Sequence, residues 1–484
     1  MTMKTIKYIL VLFLFVSYSC SNYLDVIPDN VATIDHAFNN RSNAEKYLFT
    51  CYNRLPSVTG TNASIGLMSG DEFWFYPKGT GQIDGRLGGT HPWDIARGEQ
   101  NINSPKCNYW DGENAGKPLY QAIRDCNIFI ENITRPRDLQ EYERKRWIAE
   151  VKFLKAYYHF YLFQLYGPII IMDENLDVSS PTSEVRAFRD PVDDVVEYIV
   201  GLIDEALIDL PEEILNQSEE LGRITQPIAL AVKAKVLTLA ASPLFNGNAD
   251  FANFKDSRDV VLFPETFDPE KWQKAADASK AAIEAAEKVG SKLYVYKEVF
   301  QDLSDSTLTT MSIRQSVTDK WNSEIVWGST ENVNGLQSLA MPGLSSQSNY
   351  YEARRLFSPT FRVAEQFYSE NGVPIEEDVN YNYNERYKTR IAEFEDRYYI
   401  KQGYETANLH FNREPRFYAN LGFDGSSWYG NGKWNDDDQY YLEAKRGQFT
   451  GYRTVEDFSI TGYFAKKIVS PQNSLTSSGF TRER

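Results

Sequence analysis

The sequence predicts a mainly α-helical protein. A scaffold of stacked helices spans residues 41–293, and a loop-rich, irregular face with few short strands follows over 294–484. Three observations predict this. Apolar residues recur at steps of three and four through the first half. Two of the helices so marked carry alanine-rich faces. From about Tyr294 onward, runs of Asn, Gly, Ser and Tyr replace the periodic pattern.

Ser42 with Glu45 three residues on reads as a capping box, and Ala44, Tyr47, Leu48, Cys51, Tyr52 and Leu55 follow at helical spacing. Arg146 to Leu165 carries the strongest stripe: Trp147, Val151, Leu154, Tyr158, Tyr161 and Leu165, stopped by Gly167-Pro168. Asp190-Pro191 reads as an N-cap with proline in the first turn. The core face beyond it is Val195, Ile199, Leu202, Ile203, Ala206 and Leu210. Pro227 opens a helix through Ala241, and Trp272 to Val289 forms another. Their small residues (Ala229, Ala231, Ala234; Ala275, Ala276, Ala282, Ala286) let backbones approach closely, as in stacked helix pairs of the tetratricopeptide kind. No clean repeat is visible. In the second half, Glu324-Ile325-Val326-Trp327 is strand-like.

The chain opens with Lys4 and Lys7 and an unbroken apolar run from Tyr8 to Val16, which is too short to span a bilayer and reads as the core of an export signal over residues 1–19. Ser17 and Ser19 lead into Cys20. This reads as a bacterial lipoprotein signal in which Cys20 becomes the lipidated first residue. Ser19 fits that pattern, while Ser17 stands where leucine is usual; the alternative is an ordinary cleavage near Ser19. Residues 20–40 then form a tether. Cys51, Cys107 and Cys126 are too few and too far apart for a disulfide framework, and Cys51 and Cys126 read as small buried hydrophobes.

A surplus of 67 acidic over 51 basic residues gives a net charge of −16, which repels phosphate backbones and argues against nucleic acid as a partner. His36, His91, His159 and His410 are scattered without metal-ligand spacing. Gly79, Gly81 and Gly85 do not make a phosphate loop, and no G-x-S-x-G elbow occurs. Asp378-x-Asn380-x-Asn382 opens like a calcium loop but lacks its glycine and its bidentate glutamate; Asp436-Asp437-Asp438 reads as a solvated turn. No metal and no cofactor is expected.

What remains is an excess of rings: 9 Trp, 31 Tyr and 28 Phe, or 14 % of the chain. One group, Asp71, Trp74, Tyr76, Arg86 and Trp93, lies in a glycine-rich loop expected over residues 70–98. A second, Trp428, Tyr429 and Trp434, sits among glycines and asparagines. Flat rings alternating with Asp, Asn and Arg suit carbohydrate, whose apolar face stacks on a ring while polar forks bind its hydroxyls. The competing reading is that half or more of these rings are core beneath a loop.

Several segments carry a family resemblance. Cys20 followed by Tyr23-Leu24-Asp25 and Pro28 resembles the mature start of SusD/RagB nutrient-uptake lipoproteins of Bacteroidetes. Ala149 to Tyr158, running on to Gly167-Pro168, is similar to that family's "EakFLRAyyyf…yG" helix. Gly372-Val373-Pro374-Ile375 resembles its "dGvpi" turn. Arg413-Glu414-Pro415-Arg416-Phe417 is similar to "nRDPRf", with Glu in place of Asp, and Thr461 to Lys467 resembles "TGYyarK". The resemblance implies a tetratricopeptide-like scaffold and a lipid anchor in the outer membrane, exposed at the cell surface. It also implies a SusC-like TonB-dependent barrel as partner, to which the protein delivers oligosaccharide or peptide as a binder and not an enzyme. One departure concerns the end. The family's further helix, "AEvlLnyAEA", has no counterpart before Arg484, so the sequence is truncated or diverged there. If it is truncated, an apolar groove on the scaffold is expected to lie open and the chain to be poorly soluble. A surface glycoside hydrolase and a transporter lid without a ligand site are the alternative functions.

Overall fold

The computed structural model describes residues 34–60, 64–75, 91–297, 302–329, 334–346, 353, 355–452, 458–475 and 480–481. The leader 1–19 and Cys20 lie outside them. The long helices are α1 (Arg41–Asn53), α2 (Leu119–Asn132), α3 (Glu141–Tyr166), α4 (Val192–Leu207), α5 (Gln226–Ala241), α6 (Glu270–Lys288) and α7 (Asp305–Thr318). From α2 to α6 each helix packs on the next, which is the stacked arrangement expected. None among the described residues is long and apolar enough to cross a membrane.

The helical core follows the apolar stripes. Trp147, Val151, Leu154 and Tyr158 of α3 are buried, as are Val195, Ile199, Leu202, Ile203 and Ala206 of α4 and Leu210 beyond it. Gly167 ends α3 at φ +67°, and a Cβ there would press on the Phe263 ring at 3.2 Å, so only glycine fits both the turn and the space. Cys51, Cys107 and Cys126 are free and buried.

Several local expectations are corrected. Asn40, not Ser42, caps α1: its side chain accepts from Asn43 N at 2.9 Å, and Glu45 pairs with Arg41 instead. The Asp190 carboxylate does not cap α4; it accepts from Ile171 N at 2.8 Å and so ties the strap after α3 to the start of α4. Residues 34–40, expected in the tether, are already folded, because Phe38 is buried against Tyr47 and Phe129. Glu324–Trp327 forms turns rather than a strand, with Trp327 edge-on to Phe153 and Tyr157.

Beyond α6 the chain is irregular, apart from α7 and a few short helices. All sheets among the described residues are two-stranded and antiparallel. β1 (Phe73–Trp74) pairs with β2 (Ser358–Pro359), and β3 (Thr389–Ile391) with β4 (Glu405–Ala407). β5 (Leu421–Gly422) pairs with β8 (Phe464–Ala465), and β6 (Ser427–Trp428) with β7 (Tyr440–Tyr441). Two further apolar clusters hold this half together. One gathers Met68, Phe75, Trp93, Leu339, Phe357 and Trp428; the other surrounds Phe417 with Phe411, Tyr418 and Phe423.

Candidate functional site

The two aromatic groups singled out in the sequence converge, since Trp93 and Trp428 belong to the same apolar cluster. They converge as core. Trp93 is 2 % exposed, Trp428 0 % and Tyr429 3 %, so none of the three offers a ring face to solvent, and their place as candidate ligand contacts is corrected to packing. The turn after β6 explains the burial of Trp428. Gly430, Asn431 and Gly432 all take positive φ, folding the chain back so that Trp428 Nε1 donates to Asn431 Oδ1 at 2.7 Å. Asn431 in turn donates to the carbonyls of Ser470 and Asn473. The glycines and asparagines beside Trp428 therefore serve the turn.

Two buried cations flank the Trp428 ring, the Arg314 guanidinium carbon at 5.4 Å and Lys466 Nζ at 5.8 Å from its centroid. Arg314, from α7, donates to Tyr429 O and Val469 O. Lys466 donates to Tyr418 O at 2.9 Å and Ser427 O at 2.8 Å. Burial pushes Arg314 down to about 10. Burial, followed by the charge of Arg314, holds Lys466 well below the usual lysine range. These cations staple loops together.

Trp74 is different. It is 40 % exposed, while its neighbours Phe73 and Phe75 point inward onto Phe357. Its strand is clamped on the far side, where Thr360 N donates to Glu72 O at 2.9 Å, and its ring meets buried Trp93 edge-on at 4.5 Å. Asp71 and Glu72 beside it are exposed. Trp434 is half-buried, edge-on to Tyr429, whose hydroxyl donates to Trp434 O at 3.0 Å. Tyr76 and Arg86 lie outside the described residues.

The other segments that carry the family resemblance form structural ties. Arg413, buried, donates to the carbonyls of Ala364, Phe367, Tyr368 and Leu409. Glu414, standing where aspartate is usual, reaches across to accept from Tyr368 N at 2.8 Å rather than capping its own helix. Thr461 donates to Pro359 O, and the Tyr463 hydroxyl bonds His410 Nε2. The acidic runs are engaged too. Asp436 accepts from both N and Oγ of Ser304 at the start of α7, and Asp378 accepts from Asn371 Nδ2 and Asn380 N. No cluster of three metal-ligating side chains occurs among the described residues.

One opening escaped the sequence reading. A cleft of about 500 Å³ lies between α1, α3 and the segments 219–223 and 327–329, lined by Phe49, Tyr52, Tyr157, Trp327, Lys117 and Arg223. Its rings come from stretches 49 to 327 residues into the chain, so no local motif announces it.

Residues 88–238 match a SusD-like family model described as starch-binding and associating with the outer membrane, and residues 312–484 match the SusD family model, SusD_RagB. The solved structure named BT4246 is 27 % identical, with a TM-score of 0.72 over 91 % of this chain and 75 % of its own. A SusD-like protein from Bacteroides fragilis, BF3747, is 19 % identical, with a TM-score of 0.60 over 90 % of this chain and 71 % of its own. A SusD-like carbohydrate binding protein of the same organism, BF0978, is 17 % identical, with a TM-score of 0.53 over 92 % of this chain and 72 % of its own. The last two likenesses concern the fold alone. No curated protein matches the chain. With both family models matched in order and the stacked-helix scaffold in place, the chain belongs to the SusD/RagB family.

Proposed function

We propose that the protein is a cell-surface glycan-binding lipoprotein, moored in the outer membrane through Cys20, that captures oligosaccharides and delivers them to a SusC-like TonB-dependent barrel. The observation that carries the binding role is Trp74, an exposed ring fixed on a clamped two-residue strand in a loop region rich in polar groups. The starch-binding description of the family model matched by residues 88–238 supports the same reading. An indole held in place loses little freedom on stacking, so a sugar's apolar face gains contact there at low entropic cost while Asp71 accepts from its hydroxyls. Tyr76, Arg86 and Trp434 are further proposed glycan contacts. Capture is weak and spread over area, and the work of transport belongs to the barrel. The protein binds and does not cut. The test is isothermal titration of the wild type and Trp74→Ala against a glycan that the wild type binds: lost affinity with an unchanged melt supports the assignment, and unchanged affinity removes Trp74 from the site.

A further inference from the structure

A second cleft, about 310 Å³, adjoins the one beside Tyr157 and shares Gly222, Arg223 and Trp327 with it. At its edge stands Trp321, just beyond α7, with φ +47°. A bulky aromatic residue takes that left-handed conformation only under constraint, and such constraint gathers at functional sites. The constraint is visible. Asn322 donates to the carbonyls of Ser316 at 3.1 Å and Asp319 at 2.9 Å, closing the end of α7, and its Oδ1 accepts from Glu324 N. The chain at Trp321 is thereby pinned from the following residue.

The indole held this way is backed by glycine. A Cβ on Gly328 would come within 2.5 Å of the Trp321 ring, and one on Gly222 within 3.8 Å. The ring thus rests on bare backbone, yet stays 42 % exposed. A strained backbone, a glycine bed and an open ring together describe a stacking platform, which core packing alone does not require. Around it the cleft offers hydroxyl-binding groups: Glu213, Gln217, Ser291 and Ser323. The single cation among its lining residues, Arg223, already donates to Glu150 and Glu220.

We infer that Trp321 is the floor of a second carbohydrate seat, one that takes a neutral oligosaccharide rather than an acidic one. The inference rests on the glycan-binding reading above and places a contact that the loop around Trp74 does not supply. The neutral preference follows from the charges of the lining: its cation is spent on carboxylates while Glu212 and Glu213 stand exposed beside it, and the whole chain carries −16, so the cleft disfavours an anionic sugar.

The experiment titrates the full chain by calorimetry with fragments of α- and β-glucan, xylan and mannan, and with an oligogalacturonate as the acidic probe. The expected result is binding of a neutral fragment, weakened about tenfold by Trp321→Ala. Gly328→Ala, which pushes a methyl group into the indole, is expected to weaken it similarly. Circular dichroism checks that each variant folds, and if Trp321→Ala does not, Gly328→Ala decides. Wild-type affinity in the folded variants, with only Trp74→Ala losing binding, overturns the second seat and leaves the glycan reading intact. Tighter binding of the oligogalacturonate overturns the neutral assignment. No binding of any fragment by the wild type overturns the glycan reading itself.

Discussion

Arg223 holds Glu150 through two parallel hydrogen bonds, Nε to Oε2 at 3.1 Å and Nη2 to Oε1 at 2.8 Å, with the carboxylate wholly buried inside the helical stack. Arg146 Nε and the Tyr52 hydroxyl donate to the same carboxylate, so one side chain joins α1, α3 and the segment before α5. Removing it leaves the buried Arg223 guanidinium with Glu220 as its remaining partner and takes the acceptor from the Tyr52 hydroxyl. Glu150→Ala is expected to lose about 3–5 kcal/mol in urea unfolding, and a loss below about 1 kcal/mol would show that the network relaxes without it.

Arg413 is the corresponding tie in the second half. Arg413→Ala takes the side-chain donor from the carbonyls of Ala364, Phe367 and Leu409, each costing about 1–3 kcal/mol where water does not replace it, while Tyr368 O keeps its bond from Glu414 N. The fork geometry matters, so Arg413→Lys is expected to recover only part of the stability. Hydrogen exchange checks this: protection should fall around residues 364–420 and stay unchanged in α3 and α4.

Two buried imidazoles set an acid limit. Burial pushes His159 down to about 4, with its Nε2 accepting from Met172 N; burial, then the charge of Arg413, pushes His410 down to about 3. In the unfolded chain both titrate near 6.5. Between that pH and the folded values, the unfolded chain takes up protons that the native state refuses. Stability is therefore full above about pH 6.5 and falls as the pH drops toward 4, by up to about 1.4 kcal/mol per pH unit for each histidine. Denaturant midpoints measured from pH 7.5 to 4.5 check the slope. The double variant His159→Gln, His410→Gln is expected to be less stable at pH 7 and to depend less on pH.

Trp74 and Trp93 touch, yet their truncations should separate. Trp93→Ala empties a core position and is expected to cost about 3–5 kcal/mol. Trp74→Ala removes a partly exposed ring and should cost about 1 kcal/mol or less while weakening glycan binding. Paired thermal melts and titrations distinguish the two.

The helical half was legible because its stripes are apolar and regular: Trp147 to Tyr158 on α3 and Val195 to Leu210 along α4 identify buried faces, whereas Tyr161 and Leu165, expected to continue the α3 stripe, are only half-buried and Leu162 and Phe163 fill the core there. α7 was not legible, since its buried face is Thr307, Thr310, Met311, Arg314 and Gln315, which carries no hydrophobic period. Asn40 displaced Ser42 as a cap because long-range partners fix the helix start, with Asp138 accepting from Arg41 N. Trp428 resembled a ligand contact for a local reason, its glycine and asparagine neighbours, whose positive-φ turn in fact buries it. Trp321 gave no signal at all, because its significance lies in a backbone angle and in Gly328, seven positions away.

Affinity electrophoresis of the purified protein through native gels cast with neutral polysaccharides tests the binding role most directly. The account predicts a retarded band in at least one such gel, with less retardation for Trp74→Ala and no new reducing ends in the polysaccharide. Equal mobility in every gel, or the appearance of reducing ends, would contradict it.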